Sequence, residues 1–174
     1  NRTWGGYDEL PEYLVQALVA TEDARYYDHS GIDARGTIRA VAYLGKKGGA
    51  STISQQLSRQ LFIGVRDKKS TTNALLQKVK EWVIATRLER NYTKEEIIAM
   101  YMNIYDFGNN ADGIRSAARI YFGKEPLELK VEESAVLVGM LKNSSLFNHM
   151  RREELVLNRR NTVLCQLAIY EYIT

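Results

Sequence analysis

The sequence predicts a mostly α-helical domain, on three observations: apolar residues recur every three to four positions in segment after segment, glycines and capping residues punctuate those segments, and no alternating apolar–polar run exceeds about four residues. At 174 residues the chain buries roughly 70% of the surface it exposes when unfolded, so one domain, residues 1–174, at most with a small lobe, needs no disulfide or metal staple.

Pro11 opens the first segment, where a missing N–H costs nothing, and Leu14, Ala17, Leu18 and Thr21 then recur at helical spacing. The pattern predicts a helix from Pro11 to about Asp28, broken by Ser30-Gly31. A short helix with an apolar face of Ile38, Val41 and Leu44 should follow, then the flexible Gly45 to Gly49 stretch. A third helix carries Ile53, Leu57 and Leu61, and after the polar 66–72 stretch a long one sets Leu75, Leu76, Val79, Val83, Ile84 and Leu88 on one stripe. Thr93 with Glu96 is a capping box that restarts the helix through Ile97, Ile98 and Tyr101. A loop with Gly108 and two asparagines precedes a small-residue helix, Ile114 to Phe122, stopped by Gly123. Helices over Glu132 to Leu141 and Glu153 to Tyr170 complete the set.

A net charge of +3, with basic residues interleaved among acids, gives no basic stripe and no case for nucleic acid. The single cysteine, Cys165, excludes an internal disulfide, and its apolar neighbours predict a buried thiol. Two histidines, far apart and outside any H-E-x-x-H, exclude a histidine-based zinc site. No run of 18 apolar residues spans a bilayer, and a chain beginning at Asn1 rather than Met reads as part of a longer protein.

Four stretches carry residue types suited to chemistry. In TEDARYYDHSGID, Glu22 and Asp23 stand about 100° apart on a helix and point different ways. Glu22, with Leu18 and Tyr26 four residues to either side, is placed to serve as a base; a solvated helix glutamate is the plainer reading of the local pattern. His29 fits a residue tying a helix end to the next loop. In GGASTISQQLSRQLF, glycines run into Ser51 and Thr52 at a helix start, an arrangement that suits an anion. Gln55, Gln56 and Arg59 add amides and a guanidinium for a substrate rich in hydroxyl and phosphate oxygens; a capped surface helix is the plainer reading. Lys78 and Glu81, three apart, fit a surface ion pair as well as a site. Ala111, Gly113, Ser116, Ala117 and Ala118 fit close helix packing.

Taken in order, E-D-x-x-Y, then G-x-S-T-x-x-Q-Q-x-x-R, then K-x-x-E with L-E-x-x-Y-x-K, then Y-x-N with F-G and Y-F-G-K, then Glu133 to Asn148, resemble the five-motif signature of peptidoglycan glycosyltransferases, over Pro11 to Leu167. The resemblance implies a lysozyme-like helical fold with a small membrane-proximal lobe, acting at the outer face of the bacterial cytoplasmic membrane. It implies inverting transfer from a polyprenyl-pyrophosphate-linked glycan to the 4-hydroxyl of lipid II. Glu22 would be the general base and Glu81 the second functional glutamate, with Arg59 and Lys78 facing the pyrophosphate. Asp23, Ser51, Thr52, Gln55 and Gln56 fall on motif positions lining the same cleft. Mg²⁺ or Mn²⁺ is a candidate bridge between pyrophosphate and carboxylate; no organic cofactor is implied. Partners would be lipid II, the growing glycan strand, the outer leaflet and cell-wall assembly proteins. Members carry an N-terminal membrane helix, and many a transpeptidase after the position of Thr174.

Gln60, Gln77, Asp106, Asp112 and His149 depart from the usual residues, and the link from Arg39 to Gly49 is short, which bears on substrate contacts and loop shape. Two rival readings stay open: a lysozyme-type glycan-cleaving enzyme, and a non-catalytic module binding glycan or assembly partners.

Overall fold

A computed structural model of the chain describes residues 4–42, 51–63, 71–147 and 152–174. Among them are eight α-helices and no strand: α1 (Glu12–Glu22), α2 (Ala34–Ala42), α3 (Ile53–Ser58), α4 (Thr71–Asn91), α5 (Lys94–Ile104), α6 (Gly113–Phe122), α7 (Val131–Met140) and α8 (Glu153–Ile169). The mostly helical class is as the periodicity predicts. Leu44, the stretch from Gly45 to Gly49, His149 and the side chain of Val41 lie outside the described residues, as does most of the Arg39–Gly49 link. No described helix is long and apolar enough to cross a membrane.

The chain divides into two compact units, one of Asn1–Ala24 with Ile98–Thr174, the other of Arg25–Ile97. In the first, α1, α7 and α8 pack on one another. Leu14, Ala17 and Leu18 are the buried side of α1, and α8 contributes Val156, Val163 and Leu167. α7 is buried from Ser134 to Met140, as expected of a helix apolar on all faces. Each fully buried Leu or Met here stabilises the unit by roughly 1.5–3 kcal/mol. α6 buries Ala117 and Ala118 completely and stops at Gly123, whose φ of 66° is left-handed, so its small residues do serve packing. Gly113 is required for a different reason: at φ 80° a Cβ would lie 2.5 Å from the carbonyl oxygen of Asn103. Asp106 and Asp112 form an isolated antiparallel bridge around Asn109 and Asn110, both at positive φ. Lys124 donates to both carboxylate oxygens of Glu133. Burial pushes that carboxyl up, but Lys124 and the Lys130 backbone N–H outweigh it and hold the group below its ordinary range.

In the second unit α3 packs on α4. Tyr26 is fully buried and donates its hydroxyl to the Lys94 carbonyl at 2.9 Å. The Lys94 ammonium lies 4.2 Å from the Tyr26 ring centroid and donates to the His29 carbonyl and to Glu89, which also accepts from Ser54. Thr93 and Glu96 form the predicted reciprocal cap, and His29 Nδ1 accepts from the Gly31 N–H, tying the loop as expected. Gly31 sits at φ 93°, where a Cβ would come within 2.9 Å of the Ala85 backbone. Gly31→Ala is therefore expected to destabilise the protein by about 2–4 kcal/mol, combining left-handed strain with a clash against backbone. Thermal unfolding reads this, and a parental midpoint would show that the close approach is not needed.

Three expectations are corrected. The first helix ends at Glu22, not near Asp28, because Asp23 leaves helical dihedrals at φ −156° and ψ 68° while its N–H closes the last turn on the Val19 carbonyl. A separate 3-10 turn covers Tyr26–Asp28; Tyr26 continues the apolar spacing because it is buried in the second unit, not because it lies on α1. Most of the α4 stripe is not core: Leu75, Leu76, Val79 and Val83 are exposed and only Leu88 of the stripe is buried, alongside Glu81 and Ala85. Cys165 is exposed, since the buried side of α8 runs through Val156, Val163 and Leu167.

Candidate active site

Candidate residues fall in both units. In the first, Glu22 is the last residue of α1 and Asp23 its cap, so the helical angle between them does not apply. Asp23 is buried. The apolar seat expected for Glu22 is present on one side in Leu18, but the structure adds a cation: Arg159 of α8 reaches Glu22 Oε1 at 3.5 Å, with side-chain exposures of 13% and 17%. The i+4 relation to Tyr26 does not hold, because the helix has ended.

Arg159 is the functional candidate that the sequence reading missed. A signal was there. Val156, Val163 and Leu167 mark the buried face of α8, and position 159, one turn after Val156, places a guanidinium beside that face.

In the second unit the long-range pairings centre on Lys78. Its ammonium donates to Ser51 Oγ at 2.7 Å, Gln55 Oε1 at 3.4 Å and Glu81 Oε2 at 2.8 Å. An ammonium has three protons, and here each has an acceptor. Glu81 is fully buried, so the pair is no surface ion pair. A buried carboxylate is costly unless paired and hydrogen-bonded; Lys78 satisfies Glu81 Oε2, while Oε1 has only the Arg59 guanidinium at 3.9 Å and no hydrogen bond. Because Lys78 is so committed, the partly exposed guanidinium of Arg59, at 32%, is the better placed cation to meet an incoming anion.

Local sequence explains the placement. Thr52 caps α3 by accepting from the Gln55 N–H at 3.1 Å, and Gln55 Oε1 accepts from the Thr52 N–H at 3.3 Å. Thr52 also donates to the Gly31 carbonyl at 2.7 Å. The Gln55 carbonyl oxygen thus faces both its own helix start and Lys78, which fixes the amide. Its Nε2 is buried with no hydrogen-bond partner. Part of the predicted anion cradle is consequently used internally, since Thr52 takes one first-turn N–H. After Ser58 the helix widens into a π-turn over Arg59–Ile63, and Arg59 donates its N–H to the carbonyls of both Gln55 and Gln56. Gln56 is half-buried on the next position of α3 and is not among the three acceptors of Lys78.

A groove of about 600 Å³ is lined by Phe62, Ile84, Arg87, Leu88, Asn91 and Tyr92, none of them a candidate. Among the described residues no group of three or more His, Cys, Asp or Glu is gathered to hold a metal ion.

A family model described as Transglycosylase matches residues 1–168. Penicillin-binding protein 1A of Escherichia coli (strain K12) is 39% identical over 171 residues, covering 96% of this chain and 19% of that protein. Penicillin-binding protein 1F of Bacillus subtilis (strain 168) is 38% identical, covering 100% of this chain and 24% of that protein. Penicillin-binding protein 1A of Aquifex aeolicus (strain VF5) is 36% identical over 99% of this chain and 24% of its own length. The chain thus spans between about a fifth and a quarter of the length of these curated relatives.

Proposed function

The chain belongs to the transglycosylase family, and from that premise and the two clusters of side chains we propose that it polymerises lipid II into glycan strands. Glu22 takes the proton of the acceptor's 4-hydroxyl as that oxygen bonds to the donor's anomeric carbon. The anomeric carbon–oxygen bond to the polyprenyl pyrophosphate breaks on the opposite side, with inversion. Base assistance of this type is worth roughly 10²–10⁴ in rate.

The leaving pyrophosphate gathers negative charge, and Arg59 is the group that meets it. Lys78 contributes its charge from within the Ser51–Gln55–Glu81 cluster and holds Glu81 in place. Fixed charges aimed at a developing anion often supply the largest share of a rate enhancement. Thr52 supports this cluster by fixing the Gln55 amide that Lys78 engages.

The observation that carries this reading is the buried Glu81–Lys78 pair with Arg59 beside it. Hydrolysis of finished glycan expels no diphosphate and has no need of that cationic arrangement. Contact with a membrane surface is supported by the second unit, where Leu75, Leu76, Val79, Val83 and Phe62 are exposed and Ile38 is 70% exposed. Apolar side chains so displayed on a helix suit an interfacial contact.

The test uses the full-length, membrane-embedded protein with lipid II and, separately, with finished peptidoglycan. Polymer from lipid II and intact peptidoglycan are expected. Fragments from peptidoglycan would establish the glycan-cleaving alternative, and lipid II binding without product would establish a binding module.

A further inference from the structure

The geometry points to Arg159 as a positioning residue for Glu22, an assignment that rests on the proposed role of Glu22 as base. Glu22 stands at the very end of α1, where the chain leaves the helix at Asp23. A terminal side chain with three rotatable bonds has little in its own backbone to fix it, and an ordering contact must come from elsewhere. Arg159 supplies one. Its Nη2 lies 3.5 Å from Glu22 Oε1, and both side chains are largely shielded from solvent, so the pairing escapes most of the screening that weakens surface pairs.

Arg159 is itself held. Its Nε donates to the Gly139 carbonyl at 3.5 Å, and a Cβ at Gly139 would lie 3.0 Å from Arg159 Cγ. Absence of a side chain at 139 is what lets the arginine stem lie against α7. The three elements concerned, α1, α7 and α8, pack on one another within one unit, so the contact is set by a stable core.

The function of such a contact is orientation. Displacing a reacting group by about 1 Å can cost on the order of a hundredfold in rate. Arg159 therefore acts through Glu22, and its removal should slow the chemical step without weakening substrate binding.

A double-mutant cycle on the full-length protein tests this, with lipid II turnover measured with enzyme in excess for slow variants. Arg159→Gln is expected to lower kcat about tenfold or more with KM within about twofold. In a Glu22→Gln background the same change should cost less than about twofold, because the group it positions is gone. Arg159→Lys should recover part of the loss. Gly139→Ala, which shifts the arginine stem by a few tenths of an ångström without altering charge, should lower kcat in the same direction by a smaller factor, with KM unchanged, and serves if Arg159→Gln does not fold. A full independent loss in the Glu22→Gln background, or a raised KM with kcat unchanged, would overturn the assignment and identify Arg159 as a separate substrate contact. Near-parental activity of Glu22→Gln itself would instead remove the proposed base.

Discussion

Glu22→Gln is expected to reduce lipid II polymerisation at least about a hundredfold while leaving the fold intact. The amide keeps the size and the hydrogen-bonding oxygen of the carboxylate, so Arg159 retains an acceptor and the packing of α1 is unchanged. What disappears is the ability to hold a transferred proton. Because Glu22 lies at the end of α1 and the core residues Leu14, Ala17 and Leu18 precede it, the unfolding midpoint should move little. Turnover and thermal unfolding of parent and variant settle the matter together. Activity within a few-fold of the parent would remove Glu22 from the chemistry.

Glu81→Gln should cost on the order of a hundredfold in turnover, by a different route. Here the lost charge is the buried counter-ion of Lys78, with Arg59 at 3.9 Å. An ammonium that loses its carboxylate has no reason to keep the geometry that also engages Ser51 and Gln55. Some stability should be lost as well, since breaking a buried pair can cost about 3–5 kcal/mol, less where an amide oxygen remains. The decisive measurement is turnover at a temperature well below the variant's own midpoint. Parental turnover there would show that Glu81 is only a structural counter-ion.

Local signals were legible in the sequence, and faces were not. The Thr93–Glu96 cap, the Gly123 stop and the end of α7 depend on residues a few positions apart, so spacing alone finds them. The order and spacing of the motifs marked Glu22, Ser51, Gln55, Arg59, Lys78 and Glu81 as candidates, and in the second unit the structure gathers Ser51, Gln55 and Glu81 around the Lys78 ammonium, with Arg59 3.9 Å from Glu81. The end of α1 escaped detection because Tyr26 prolongs the apolar spacing while being buried for reasons of its own. The face of α4 was misjudged because its buried side carries a glutamate, which apolar periodicity counts as outward. Arg159 escaped because its pairing spans 137 positions of chain, and no spacing rule links residues so distant. Cys165 was misread because small apolar neighbours describe a stretch and say nothing of which side of α8 meets the core.

The π-turn at Arg59–Ile63 inserts one residue into the winding, so side chains beyond Ser58 fall out of phase with those before it. Leu57 is wholly hidden, whereas Leu61, four positions along, and Phe62 face outward. How oily the exterior is at this point is thus decided by the pitch of a single coil as much as by which letters are present. Gain or loss of one amino acid within Arg59–Ile63 would therefore rotate Leu61 and Phe62 relative to Leu57, exchanging greasy groups between interior and exterior.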